Sequence, residues 1–395
     1  MPRQTPSTPP GPATGNAPAT TLAVLLTAAG IFACADRPAA PLSPSAGEAA
    51  AGAGAGAAAP AALRAPAPPV GAPRPRVSGW IHFLEARPGA DPDQPAPVRA
   101  MRVRLDGTGL GPVLPGETAD TVSYGGRAGS TLLVRGRPGA YDLVRLDPKG
   151  QVRPLVRGGD SWNPTLSPDG TQVLFESSKQ SFRDLYLVPI GGGPVRRLTD
   201  DPQGNFDPAW SPDGTQIAFA SSRHMQLDLF VMNADGSGQR RLTSHPGDSM
   251  QPRWSPRGDR IAFISGRDGR DDLFVIRPDG TGLRKLTRSD ADARHHSWLP
   301  DGRHLLYAAR RGNDRSRIAL VDADSGRIRY LSPEDAHDDE PLLLPDGRTV
   351  VFVSTIDGTP GLFRMRIDGI ERRQILPHDV PRSGPRFVET PEDEP

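Results

Sequence analysis

Apolar residues from position 163 onward fall into short β-rich runs that return at a fixed interval. Val173-Leu174-Phe175 is followed by Ile217-Ala218-Phe219, Ile261-Ala262-Phe263, Leu305-Leu306-Tyr307 and Val350-Val351-Phe352. A second series keeps the same phase: Leu185 to Val188, Leu229 to Met232, Leu273 to Ile276, Ile318 to Val321, and Leu362-Phe363. Strict in–out alternation is missing from these runs, as expected of strands covered on both faces. Ahead of the first series stands Ser167-Pro168-Asp169-Gly170, repeated at Ser211 and Ser255 and, degraded, at Leu299 and Leu344, in steps of 44, 44, 44 and 45. Proline presets φ, aspartate bonds the backbone and glycine accepts positive φ, so the motif is a tight strand connection. One apolar residue precedes it each time: Leu166, Trp210, Trp254, Trp298 and Leu343. Asp235-Gly236, Asp279-Gly280 and Asp368-Gly369 add hairpin signals. A fourth run closes each unit, as in Arg196 to Thr199, Arg240 to Thr243 and Arg284 to Thr287.

Four strands in each 44-residue unit predict all-β propeller blades, with strands A to D running from the axis outward. The basic pairs on D would then deter edge-to-edge pairing; a basic patch for an anionic ligand is the alternative. Two weaker units precede Asn163, one with its A strand at Thr121 to Tyr124 and one beginning with a B strand at Trp80 to Leu84. The earlier unit has no A strand of its own. Gly384 to Val388 lies 44 residues after Glu340 to Leu344 and has no B strand after it. The C-terminal strand therefore completes the first blade, which makes seven blades of four antiparallel strands; six is the alternative.

The repeat resembles the TolB-like, WD40-like propeller family of bacterial envelope proteins, whose units read much like Pro208-Ala209-Trp210-Ser211-Pro212-Asp213-Gly214 followed by Ile217-Ala218-Phe219 and Asp228-Leu229-Phe230. The resemblance covers Asn163 to about Asp379. It implies a propeller facing the periplasm. Similar repeats also occur in propellers of prolyl-oligopeptidase-like hydrolases and in oligogalacturonate lyases.

The first quarter of the chain differs in character. An apolar run from Leu22 to Ala33 has the length of a signal-peptide core and is too short to span a bilayer. It ends in Ile31-Phe32-Ala33-Cys34, which resembles a bacterial lipobox with Cys34 as the acylated residue. The alternative is a free cysteine inside a plain signal peptide. Residues 35–75 are nearly all Ala, Pro and Gly and predict a disordered tether spanning roughly 30–40 Å. Three segments result: 1–34 as signal peptide, 35–75 as tether and 76–395 as propeller. With +1 net charge, a nucleic-acid partner is not indicated, and one cysteine excludes an intrachain disulfide framework.

Chemistry is sparse. There is no Gly-x-Ser-x-Gly elbow and no Gly-x-x-x-x-Gly-Lys phosphate loop. No cofactor, catalytic residue or metal site is assigned. B–C and D–A loops share one face and vary in sequence, so a partner is expected there, an envelope protein or polysaccharide, with the chain a monomer. Asn163, Asp207, Gln251, His295 and Glu340 enter the A strands and are expected to ring the channel mouth, either as a polar binding site or as a hydrated rim. The expected function is a noncatalytic envelope lipoprotein, periplasmic and outer-membrane-anchored, touching the membrane only through lipid. The alternative is a metal-dependent polysaccharide lyase with its ion near His295.

Overall fold

The computed structural model describes residues 79–389, apart from 87–97, 118–119, 128–129, 138, 181, 289, 313–314, 357 and 378. The signal-peptide, tether and Cys34 expectations lie outside the described residues, as do 390–395. Every regular element among the described residues is a β-strand, and the strands form seven blades of four.

Blade 4 shows the pattern. Its strands are A (Asn205–Trp210), B (Gln216–Ser221), C (Asp228–Asn233) and D (Arg240–Arg241), all antiparallel. Blades 3 and 5 repeat it, with A strands Ser161–Leu166 and Ser249–Trp254. Blades 6 and 7 have longer B and C strands. The Ser-Pro-Asp-Gly motif makes the A–B turn: Gly214 N–H donates to the Ser211 carbonyl at 2.9 Å, with φ of 71° at Gly214. The Ser211 hydroxyl takes the Gln216 N–H, closing the turn a second time.

Apolar side chains are buried between blades rather than in one central core. Leu174, Leu185 and Leu187 of blade 3 pack on Ile217, Phe219, Phe230 and Met232 of blade 4. Trp254 sits in the next seam among Ala218, Leu229, Ile261 and Phe263. Stacked ring pairs tie B to C: Phe219–Phe230, Phe263–Phe274 and Phe352–Phe363, with centroids 5.6, 5.7 and 5.9 Å apart.

The fourth run proves shorter as a strand than its sequence suggests. Only Arg240–Arg241 pair with C; Leu242 then turns inward against the seam and Thr243 is buried. A two-residue edge blunts itself by length. The basic pairs are not simply solvated either, because each arginine has a partner. Arg241 ion-pairs with buried Asp228 at 2.5 Å, while Arg240 reaches the Pro278 carbonyl of blade 5.

Closure follows the sequence expectation. Gly79–Ala86, the B strand of blade 1, has no strand before it among the described residues. The C-terminal strand Arg382–Glu389 fills the inner place and pairs antiparallel with it. Trp80 faces Val388 and Leu84 faces Ser383 in that ladder. Blade 1 is thus a composite of both ends, with C at Val98–Val103 and D at Gly111–Pro112.

Candidate functional site

Each A strand of blades 3 to 7 carries a bulge at its middle, and the expected ring residues occupy it. The register breaks between Trp162 and Thr165, Phe206 and Ala209, Met250 and Arg253, Arg294 and Ser297, and Asp339 and Leu342. Asn163, Asp207, Gln251, His295 and Glu340 are the first bulge residues, with φ of 45, 54, 54, 51 and 52°. They lie within the strands, not at the strand entrances. A left-handed residue followed by proline, or by His296 in blade 6, turns the bulge, and in blades 4 and 5 its N–H reaches a carboxylate of the preceding blade.

Those N–H groups are met by side chains. Asp207 accepts the Gln251 N–H at 3.2 Å, and Glu340 accepts the Gly384 N–H. Glu176 accepts both the Asp207 N–H at 2.8 Å and the Asn163 amide at 2.9 Å. His295 Nδ1 meets Asp339 at 2.8 Å, and the same carboxylate accepts the Glu340 N–H at 2.7 Å. The ring is therefore part of a belt of hydrogen bonds that joins blades 3 to 4, 4 to 5, 6 to 7 and 7 to 1, and several of its side chains are engaged in holding backbone.

Burial sets the charges in this belt. Glu176 is pushed up to about 7, chiefly by burial and opposed by Arg183. Burial raises Asp207 as well, against the pull of Arg253. Asp339 more than offsets burial at His295 and raises it. His296 is held down at about 3, chiefly by burial and then by the charge of Arg253. Among the described residues no three His, Cys, Asp or Glu side chains converge as metal ligands.

The loop face is different in kind. Phe182 in the B–C loop of blade 3 is 52% exposed, and Met225 in that of blade 4 is 85% exposed. Met225 is also held at φ of 68°. His224 stacks on Phe230, and His245 turns Nδ1 to the Pro246 carbonyl, so these histidines form no cluster. On the opposite, turn face a groove of about 660 Å³ opens between blades 3 and 4, lined by Pro189, Pro194, Trp210, Asp213 and Asp235 among others.

Sequence reasoning missed Glu176, Arg253 and Arg386. Glu176 was open to detection, because it interrupts a column that reads Ala220, Ile264, Ala308 and Val353 in other blades. The arginines keep the repeat phase as well, one residue before Trp254 and Phe387, but nothing in that phase says which way the position faces.

A family model described as the TolB β-propeller domain matches residues 141–387. TolB from Acinetobacter baumannii is similar in structure, with a TM-score of 0.52 and 18% identity over 80% of this chain and 67% of that one. A Mycobacterium tuberculosis puromycin-hydrolyzing peptidase has a TM-score of 0.60 and 20% identity over 78% of this chain, which spans only 55% of that protein. An oligogalacturonate lyase in complex with manganese has a TM-score of 0.56 and 15% identity over 77% of this chain and 87% of that one. At these identities the likeness is one of fold. No protein of curated function matches the sequence.

Proposed function

The chain belongs to the TolB β-propeller family, and from that membership we propose a noncatalytic binding scaffold of the bacterial cell envelope, anchored at the periplasmic side of the outer membrane through lipid on Cys34. One observation carries the reading: Phe182 and Met225 stand exposed on B–C loops of adjacent blades. Large apolar side chains on variable loops, carried by a rigid ring, suit a protein partner that buries them. Methionine adds a flexible, polarisable contact. An apolar pair favours an envelope protein over a polysaccharide. The lyase alternative draws only on fold, since no ligand set converges among the described residues.

The test uses the full chain in detergent as bait for envelope extracts. Phe182→Ser with Met225→Ser should lose the captured protein while the fold persists, and Cys34→Ser should leave the detergent phase. Capture unaltered by the loop changes would overturn the loop-face reading, and detergent partitioning unaltered by Cys34→Ser would overturn the anchor. Cleavage of oligogalacturonate by metal-loaded protein would favour the lyase.

A further inference from the structure

Two residues beyond the first bulge position, the A strands of blades 3 to 7 and of blade 1 present a second ring: Thr165, Ala209, Arg253, Ser297, Leu342 and Arg386. All six lie on the innermost strands and solvent reaches each of them, as expected of residues that face the axial channel. Direction agrees. The next residues, Trp254 and Trp298, turn back and donate their indole N–H to the Ala209 and Arg253 carbonyls of the preceding blades, at 3.1 and 2.9 Å. Neighbours on a strand point opposite ways, so Arg253 points away from that seam.

Four members of this ring are uncharged, and the two charged ones are both arginine. Each guanidinium makes one hydrogen bond: Arg253 Nη1 donates to the Pro252 carbonyl at 3.1 Å, and Arg386 Nη1 to the Pro385 carbonyl at 2.9 Å. Neither forms an ion pair within 4.0 Å among the described residues. The nearby acids Asp207 and Glu340 spend an oxygen each on the backbone belt. A guanidinium has five N–H donors in a planar fork that matches an oxyanion, so most of this donor set is unspent.

We propose that Arg253 and Arg386 form an oxyanion site on the propeller axis, fitted to a small polycarboxylate that bridges the two guanidinium groups. Crowding by the surrounding channel wall weakens the hold of Arg253 on its proton, Asp207 partly restores it, and the charge of Arg386 weakens it again. Two cations that repel across the channel are stabilised when an anion sits between them. This site is independent of the loop-face reading, and either can fail without the other.

The experiment is thermal unfolding of the full chain in citrate, with sodium chloride at equal ionic strength as reference. The wild type should show a saturable rise of several degrees in the midpoint, as a ligand specific to the folded state produces. Non-specific stabilisation by citrate does not saturate and appears in every variant. Arg253→Met with Arg386→Met should lose the saturable part and, without citrate, melt no lower than the parent. Arg386→Lys, which keeps the charge and loses the fork, should keep a weaker response. An identical rise in parent and double variant would overturn the site. So would a double variant that melts well below the parent in chloride or fails to fold, because the arginines would then be balancing Asp207 and Glu340.

Discussion

Blades 3 to 5 and blade 1 share an architecture but are held by different means. In the middle blades the first residue of strand C is a buried aspartate: Asp184, Asp228 or Asp272. It accepts a hydroxyl from Thr199, Thr243 or Thr287 at 2.8, 3.1 and 2.7 Å. Arg197, Arg241 or Lys285 pairs with its other oxygen at 2.6, 2.5 and 2.6 Å. The same threonine takes the N–H after the aspartate, as Leu229 N–H to Thr243 at 2.9 Å. Each blade thereby ties its outer strand to its own third strand with residues close in sequence. Blade 1 is tied differently. Val98 and Ala100 N–H reach to Asp120 and Thr121 at the start of blade 2, at 3.0 and 2.9 Å. Buried Arg382 spans Asp379 and Glu85, at 2.9 and 3.4 Å, across the two chain ends. The contrast separates two jobs: repeated networks make blades, and one irregular network makes the ring.

The sharpest way to test that division is to remove the closing strand. Deleting residues 384–395 should leave Gly79 to His82 without an inner partner and expose Ile81 and Phe83, both nearly fully buried. The ladder joins residues far apart in sequence, so its formation carries the largest loop-closure cost and its loss opens the ring. A cooperative loss of several kcal/mol is expected, with aggregation through the freed edge. Urea unfolding and light scattering read it. A truncated chain that unfolds like its parent would mean that the middle blades hold the ring without closure.

What could be read from sequence divides along the same line. The blades were legible because turn chemistry and apolar runs recur in one phase, and that phase alone points to the closing strand at Gly384. The belt was half legible. Asn163, Asp207, Gln251, His295 and Glu340 could be picked out by register, but the bulge that puts them in mid-strand is a backbone event with no fixed residue type. Its signature, a polar residue before proline, is lost at His295-His296. The roles of the basic pairs were hidden for another reason. Adjacent residues on a strand point to opposite faces, so Arg240 and Arg241 look alike in sequence and do different work.

Within a middle blade the largest single effect should come from Trp254. It fills the seam between blades 4 and 5 and donates to the Ala209 carbonyl. Trp254→Ala should cost about 3–5 kcal/mol, as a cavity opens and a hydrogen bond is lost. Chemical denaturation measures it. A cost below about 1 kcal/mol would show that the seam collapses around the gap and that the tryptophan is not what spaces the blades.

The smallest expected effect is also the most discriminating, because it compares two neighbours on one two-residue strand. Arg241 is about one-third exposed and its partner Asp228 is fully buried. Arg241→Ala would leave that carboxylate with the Thr243 hydroxyl and only the more distant charge of Arg267, a loss of about 2–3 kcal/mol after allowing for solvent at the arginine. Arg240 reaches outward to the Pro278 carbonyl of the next blade and is exposed. Such clasps recur: Arg196 donates to the Asp235 carbonyl at 3.0 Å, Arg284 to Ala323 at 3.1 Å and Arg329 to Ile367 at 3.0 Å. Water replaces most of what an exposed clasp gives, so Arg240→Ala should cost about 0.5 kcal/mol. Equal costs for the two substitutions would erase the distinction between bonds that build a blade and bonds that lean on its neighbour. A larger cost at Arg240 would reverse it, making the outer clasps, rather than the closing strand alone, part of what keeps the ring shut.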